Sequence, residues 1–328
     1  MVQERALFLA PMMGLSDAHY RRMMRILSPK VWIFTEMIVD GSILHCKQES
    51  LLSRLGCIDD RTVVQVGGSN PDWISKAISS IKQLTGCKNF NLNVGCPSER
   101  VQKALMGAIL MRYPEKVVEI ARAVQEQNPD VDFSIKCRLG VDELDSFEFF
   151  ERFIRTLISQ TQIRTMFIHA RKALLSEGIS THQNHKIPPL RYDFVYKIAE
   201  MYPQVKFVLN GGLTSNQEIE QVFSSSKISG VMIGRWPYEN DPMAVATLFP
   251  LDAKHKALRE IEALEEYAAS FPSPTKDNLL LATKPMVRIM RKGMFSGKTK
   301  WFNRNLMQIL AESSNSTEAF DRLLSLPR

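Results

Sequence analysis

The chain has 328 residues, 45% of them hydrophobic and 23% charged, with a formal net charge of +7. That balance is ordinary for a folded domain and excludes a disordered or low-complexity chain, and the length admits a barrel-sized domain with a smaller one attached. No run approaches the 18 or so apolar residues that cross a bilayer, and the apolar stretch in MVQERALFLAPMMG is too short for a secretory core, so a cytoplasmic protein with no membrane attachment is expected.

In chain order, short β-rich runs recur: ALFLAPM from Ala6, VWIFTEM from Val31, TVVQVGG from Thr62, NFNLNVGC from Asn89, FSIKCRLG from Phe133, TMFIHAR from Thr165, KFVLNGG from Lys206 and ISGVMIGR from Ile228. Amphipathic stretches lie between most of them, such as PDWISKAISSIKQL, PEKVVEIARAVQEQ, SFEFFERFIRTLIS and SNQEIEQVFSSS, several opening on Ser, Asn or Pro as helices do. Eight strand–helix repeats within about 245 residues, the usual size of that architecture, predict a (β/α)8 TIM barrel. A doubly wound open sheet is the alternative, but no G-x-G-x-x-G follows the first strand. AKHKALREIEALEEYAAS then predicts helix and FPSPTKDN a connecting turn. The expected division is therefore a barrel domain over 1–249 and a small C-terminal helical domain over 250–328.

The predicted strands begin apolar and finish in Gln65, Asn93, Lys136, Arg138, His169, Arg171, Asn210 and Arg235. In such a barrel the carboxyl ends of the strands and the loops after them build the active site, so these tips predict a lined pocket. Parity places Lys136 with Arg138, and His169 with Arg171, on one face, while Cys137 and Ile168 point to the helix layer. The strand NFNLNV alternates apolar and polar residues and stops at Gly95 and Pro97, leaving Cys96 at its mouth, either idle or chemical. The five cysteines are scattered without a C-x-x-C pair, which predicts reduced thiols and no zinc site, with Cys46, Cys57, Cys87 and Cys137 structural. The last two strands end in Asn210-Gly211-Gly212 and Ile233-Gly234-Arg235, where barrels of this kind commonly bind phosphate.

Between Asn278 and Ala311 lie Lys284, Arg288, Arg291, Lys292, Lys298, Lys300 and Arg304 and no acidic residue, so the whole net excess sits in the C-terminal element, with Phe295, Trp301 and Phe302 among the charges. The segment reads either as a patch for a polyanion such as nucleic acid or as a solvated helix face over core aromatics.

The motifs APMMGLSD, TEM, QVGG, NLNVGCPSERVQ, IKCRLG, HARKALL, KIPPL, LNGG and VMIGR, in this order across residues 8–236, resemble the flavin-dependent tRNA-dihydrouridine synthases, most closely their bacterial A branch. The C-terminal segment resembles the family's helical domain only loosely, through KPM at 284–286 and the basic stretch after it. The resemblance implies that Pro11, Met12, Gln65, Lys136, His169, Asn210, Gly211, Gly212, Gly234 and Arg235 hold FMN. It implies that Asn93, Arg138, Arg171 and His185 meet the substrate uracil, and that Arg288, Arg291, Lys292, Lys298, Lys300 and Arg304 contact tRNA. NADPH would reduce the flavin, hydride would pass to C6 of a uridine at D-loop position 20 or 20a, and Cys96 would supply the proton to C5. A monomer is expected.

The chain departs from the family pattern at two loops. Ala104, Leu105 and Met106 stand where glycine, arginine and phenylalanine are common, and Leu174 and His185 stand for tryptophan and the arginine that grips the uracil, with one extra residue near Glu177. These changes motivate a second reading, a family descendant that binds RNA with weak or no reductase activity. A third keeps the barrel and gives Lys136 a Schiff base, as in barrel aldolases.

Overall fold

Ala6–Leu9 (β1) pairs in parallel with Trp32–Phe34 (β2) on one side and Gly230–Ile233 (β9) on the other, and the meeting of first and last strands closes the sheet. The computed structural model describes residues 6–176, 178–239, 260–270, 279–292, 294, 295 and 297–327. Between β2 and β9 run Ile38–Val39 (β3), Thr62–Gly67 (β4), Asn89–Val94 (β5), Asp132–Cys137 (β6), Thr165–His169 (β7) and Lys206–Asn210 (β8). Every described pairing around this sheet is parallel, and β2 pairs directly with β4. Eight strand positions therefore form a closed (β/α)8 barrel, with β3 a short extension of the second.

Of the VWIFTEM run only Trp32–Phe34 is strand, and Ile38–Val39 follows it as a separate one. Thr35 Oγ1 accepts the Gln65 backbone N–H at 3.1 Å and donates to the Glu36 carbonyl at 2.8 Å, so a side chain takes a ladder position and the strand is interrupted between Phe34 and Ile38. Glu36, released from the ladder, accepts the Gly14 N–H at 2.5 Å and ties the loop after β1 to the second strand.

Alternation decides what fills the barrel. Phe8, Phe34, Val63, Phe167, Val208 and Met232 form one buried cluster, in which the Phe167 ring meets Phe8 and Phe34 edge-on at centroid distances of 4.8 and 4.9 Å. Across β4, β5 and β6 the residues of that same parity are polar, Gln65, Asn91 and Ser134, and they bond to each other. The predicted helices appear where the sequence caps them. Pro71–Thr85 begins after Asn70, whose side chain accepts the Trp73 N–H, and stops at left-handed Gly86. Phe147–Gln160 and Asn216–Ser225 begin at Ser146 and Ser215 in the same way.

By its internal contacts the chain divides into two units, 1–14 with 32–234 and 15–31 with 235–328. In the second, Ala18–Leu27 packs on Glu260–Ala269 and Leu279–Lys292, and Thr299–Glu312 and Ser316–Leu324 complete the described helices with the short Arg235–Glu239. Strand–helix alternation would have given Ala18–Leu27 to the barrel; its buried Tyr20, Met23, Met24 and Leu27 serve the helical unit instead. There the buried Tyr267 hydroxyl donates to the Ala282 carbonyl at 2.7 Å, and Phe295 stacks on Phe302 at 4.9 Å. The boundary expected at 249/250, the turn FPSPTKDN, residues 253–259 of the predicted helix and the extra residue near Glu177 lie outside the described residues. No helix among the described residues is long and apolar enough to cross a membrane.

Candidate active site

β5 delivers Asn93 and Cys96 to the carboxyl end of the barrel. Asn93 Oδ1 accepts the backbone N–H of Gly95 at 3.1 Å and of Cys96 at 2.9 Å, which bends the chain away from the sheet immediately after the strand. Gly95 is not in the left-handed region expected for it. It is needed for closeness, because a Cβ there would lie 3.3 Å from the Lys136 carbonyl oxygen and 3.4 Å from the Cys137 carbonyl carbon on β6. Cys96 is half-buried against Met37, Val101 and Met106, and its carbonyl accepts the Ala108 N–H at 2.9 Å. Met106, one of the departures from the family pattern, thus fills the apolar floor beneath the thiol. Burial pushes the Cys96 thiol up, against the pull of the Ser98 backbone, Arg138 and Lys136, so it is a protonated thiol at neutral pH.

The tips of β6 and β7 are cationic. Lys136 faces Asn93 in register, and burial, with Arg138 beside it, pushes its ammonium down to about 8. Arg138 is only 1% exposed. Its Nε donates to the Gly95 carbonyl at 2.9 Å and its Nη1 to those of Lys172 and Asn184 at 2.9 and 3.3 Å. The residue expected beside the uracil therefore commits its Nε and Nη1 to backbone carbonyls of the loops after β5 and β7. Burial holds His169 well below the usual histidine range, and every charged neighbour acting on it, Arg138, Lys136, His185 and Arg171, is a cation or an imidazole. The rings of His169 and His185 stack at 5.6 Å, so the structure does bring His185 to the cluster, while Arg171 Nη1 donates to the Pro188 carbonyl.

β8 and β9 supply the glycines. Asn210 Nδ2 donates to the Met232 carbonyl at 2.8 Å, and Gly211 and Gly212 follow with φ of +114° and +74°. A Cβ on Gly211 would lie 2.8 Å from His169 Cδ2, and one on Gly212 2.4 Å from Leu190 Cδ1. Gly234 differs, with nothing nearer its absent Cβ than Met12 Sδ at 3.5 Å. Pro11 and Met12 follow β1, and Met12 packs on the aromatic cluster inside the barrel. Arg235 opens the helix Arg235–Glu239 and belongs to the helical unit.

In that unit the basic stretch divides. Arg288 stacks on Tyr238, its guanidinium carbon 3.4 Å from the ring centroid, and donates to the Tyr238 carbonyl at 2.5 Å; Arg291 buries its Nε. Lys292 ends the helix Leu279–Lys292. Lys298, Lys300 and Arg304 are exposed around the half-covered Trp301, which leans on buried Phe295 at 5.6 Å. The stretch therefore has exposed cations over buried Phe295 and Phe302.

Sequence reasoning missed Asn91 and Ser134, although the polar parity of NFNLNV pointed to the first. It also missed Asn184, fully buried, whose amide pins the loop after β7 by accepting the Leu174 N–H at 2.7 Å and donating to the Leu174 carbonyl at 2.9 Å. Among the described residues no group of His, Cys, Asp and Glu could hold a metal ion.

The sequence pattern of the Dihydrouridine synthase (Dus) family matches residues 8–320. The tRNA-dihydrouridine(20/20a) synthase of Shewanella oneidensis is 37% identical over 263 residues, 80% of this chain and 76% of that protein. The enzyme of the same name from Synechocystis is 37% identical over 250 residues, 76% of this chain and 72% of that one. Among solved structures, a 2-naphthoyl-CoA reductase in complex with 2-naphthoyl-CoA shares the fold, with a TM-score of 0.52 at 11% identity over 72% of this chain and 48% of that one. The match over residues 8–320 and the relatives 37% identical over most of both chains place this chain in the dihydrouridine synthase family of enzymes.

Proposed function

We propose that the protein reduces a uridine of tRNA to 5,6-dihydrouridine, at D-loop positions 20 and 20a, with FMN as resident cofactor, NADPH as reductant and Cys96 as the proton donor. The observation that carries this reading is the half-buried Cys96 thiol at the end of β5, with Arg138 and Lys136 as the charged groups acting on it. The names of the relatives support the substrate.

The residues present fit FMN. A cluster of Lys136, Arg138, Arg171 and two imidazoles, with no carboxylate among the groups acting on His169, suits an anionic, carbonyl-rich ligand. Gly211, Gly212 and Gly234 put no side chain of their own between the backbone and a phosphate, and a Cβ at Gly234 would meet only Met12 and Ala10, at 3.5 and 3.7 Å. Gln65, Lys136, His169 and Asn210, with Pro11 and Met12, would line it. Bound FMN supplies the hydride that C6 of the base receives.

The chain's own groups then have defined tasks. Hydride addition at C6 leaves negative charge over C5, C4 and O4, which a cation held near 8 and still charged at neutral pH stabilises. Cys96 Sγ–H forms the new C–H bond at C5, and the thiolate left behind recovers its proton from solvent. Asn93 has its Oδ1 taken by two backbone N–H groups, so it presents only an N–H, which recognises a carbonyl oxygen and rejects a donor. The base must leave its stack to reach these atoms. We assign the barrel to catalysis and the C-terminal helices, through Lys298, Lys300, Arg304 and Trp301, to the RNA backbone.

The test is the visible spectrum before and after anaerobic NADPH, followed by dihydrouridine formation on unmodified tRNA. A bleachable flavin and product formation that Cys96→Ala lowers by about 10²–10⁴ with flavin retained are expected. A colourless protein that takes up no FMN overturns the reading. The half-buried Leu174 and the imidazole at His185 favour the second reading, RNA binding without reduction. Tight tRNA binding with no product would establish it. The family match leaves no support for the aldolase chemistry at Lys136.

A further inference from the structure

Inside the barrel, four side chains form a single file of hydrogen bonds that ends on the backbone of Cys96. Ser134 Oγ donates to the Phe90 carbonyl at 3.0 Å and accepts from Asn91 Nδ2 at 2.9 Å. Asn91 Oδ1 accepts from Gln65 Nε2 at 2.8 Å, and Gln65 Oε1 accepts from Asn93 Nδ2 at 2.8 Å. Asn93 Oδ1 closes the file on the N–H groups of Gly95 and Cys96. All four residues are buried, Asn91 and Gln65 almost completely.

The direction of the file is not arbitrary. At one end the Phe90 carbonyl can only accept, so the Ser134 hydroxyl must donate to it and offer its lone pairs to Asn91. At the other end two N–H groups can only donate, so Asn93 must turn its oxygen to them. Every amide between is forced into one orientation, and a flip of any one would set like against like. The register makes this possible, since Gln65 faces Asn91 across β4 and β5, and Asn91 faces Ser134 across β5 and β6.

We propose that Asn91 and Ser134 are positioning residues for the thiol: through Gln65 and Asn93 they fix the turn that carries Cys96, although the hydrogen bonds they make run only to barrel side chains and the β5 backbone. The inference rests on Cys96 as the proton donor for its catalytic meaning, and on the hydrogen bonds alone for its structural one. The same file fixes the amide of Asn93, so donor geometry and acid geometry are set together.

The experiment follows the alkylation of each cysteine by iodoacetamide at one fixed pH, read by mass spectrometry, in the full-length protein and in Ser134→Ala, Ser134→Thr and Asn91→Leu, with melting curves alongside. The exposed Cys46 and Cys57 are internal references. Ser134→Ala, which deprives Asn91 of its acceptor, is expected to speed Cys96 alkylation about fivefold, the value of one buried hydrogen bond, with the references unchanged. Ser134→Thr keeps the hydroxyl and restores the slow rate. In turnover Ser134→Ala and Asn91→Leu lower kcat and leave KM for tRNA in place, and Ser134→Thr keeps the parent kcat. If Ser134→Ala and any folded Asn91→Leu alkylate Cys96 at the parent rate, the proposal is overturned, even where the melting temperature has dropped. If Asn91→Leu does not fold, Ser134→Ala against Ser134→Thr decides. Faster alkylation in a protein that forms no dihydrouridine would uphold the positioning role and sink the proposed reaction instead.

Discussion

Gly107 lies so close to Cys96 that a Cβ on it would sit 2.5 Å from the Cys96 carbonyl oxygen and 3.2 Å from its Cβ. It is also left-handed, with φ of +72°. Gly107→Ala must therefore push the thiol loop, and it carries backbone strain besides. The expected loss is about 1–3 kcal/mol of stability, seen as a drop of several degrees in Tm, with uridine reduction falling further than the fraction unfolded accounts for. A variant with parent Tm and rate would show that the loop yields freely.

The pH profile follows from Lys136. Its ammonium, pushed down to about 8 by burial and then by Arg138, is present below that pH and lost above it, while the raised thiol of Cys96 loses its proton higher. Turnover should fall as pH rises through about 8, and Lys136→Arg, if it supports turnover, should move that limb upward. In the unfolded chain the lysine keeps its proton to about 10.4, so the unfolded state binds more protons between about 8 and 10.4 and stability rises with pH across that window. Comparing Tm at pH 7.5 and 9.5 in the parent and in Lys136→Met checks the sign: the substitution removes this contribution to the rise.

The glycines of the last two strands should behave differently from each other. Gly211→Ala meets the His169 ring and an unfavourable φ of +114°, so it should lower both Tm and flavin content. Gly234→Ala meets nothing closer than 3.5 Å and should leave stability within about 0.5 kcal/mol of the parent while weakening FMN binding. Titration of the apoprotein with FMN separates the two effects. Undiminished FMN affinity in Gly234→Ala would place the phosphate elsewhere.

Replacing Lys298, Lys300 and Arg304 together by Gln should weaken tRNA binding and reduce the slope of log affinity against log salt by about 2–3, because each lost phosphate contact releases fewer counterions. Arg288→Gln should instead lower Tm, since that guanidinium is stacked on Tyr238. Binding measured from low to moderate salt distinguishes the two classes.

The barrel was legible because its signals are local. Period-two runs mark the strands, Asn70, Ser146 and Ser215 cap helices in their own sequence, and parity alone put Lys136 and His169 on the inner face. What escaped depends on partners far along the chain. Thr35 interrupts a strand through Gln65, 30 residues away, and Gly95 is small because of β6, not because of its own φ. Arg138 has the composition of a substrate ligand and becomes a tie between loops as well only when residues 34 to 46 positions distant arrive around it. Ala18–Leu27 carries an ordinary amphipathic pattern, and nothing in that pattern names the layer it serves.

The single guanidinium of Arg138 holds carbonyls from the loop after β5 and from two points of the loop after β7. Those loops therefore have a common knot at their bases and exposed tips: Leu105 is 58% exposed and Ile187 59%. Change is cheap at the tips and expensive at the knot. Exchange of an exposed residue at a tip leaves the thiol in place, and this chain already differs from the family pattern at one of them, Leu105.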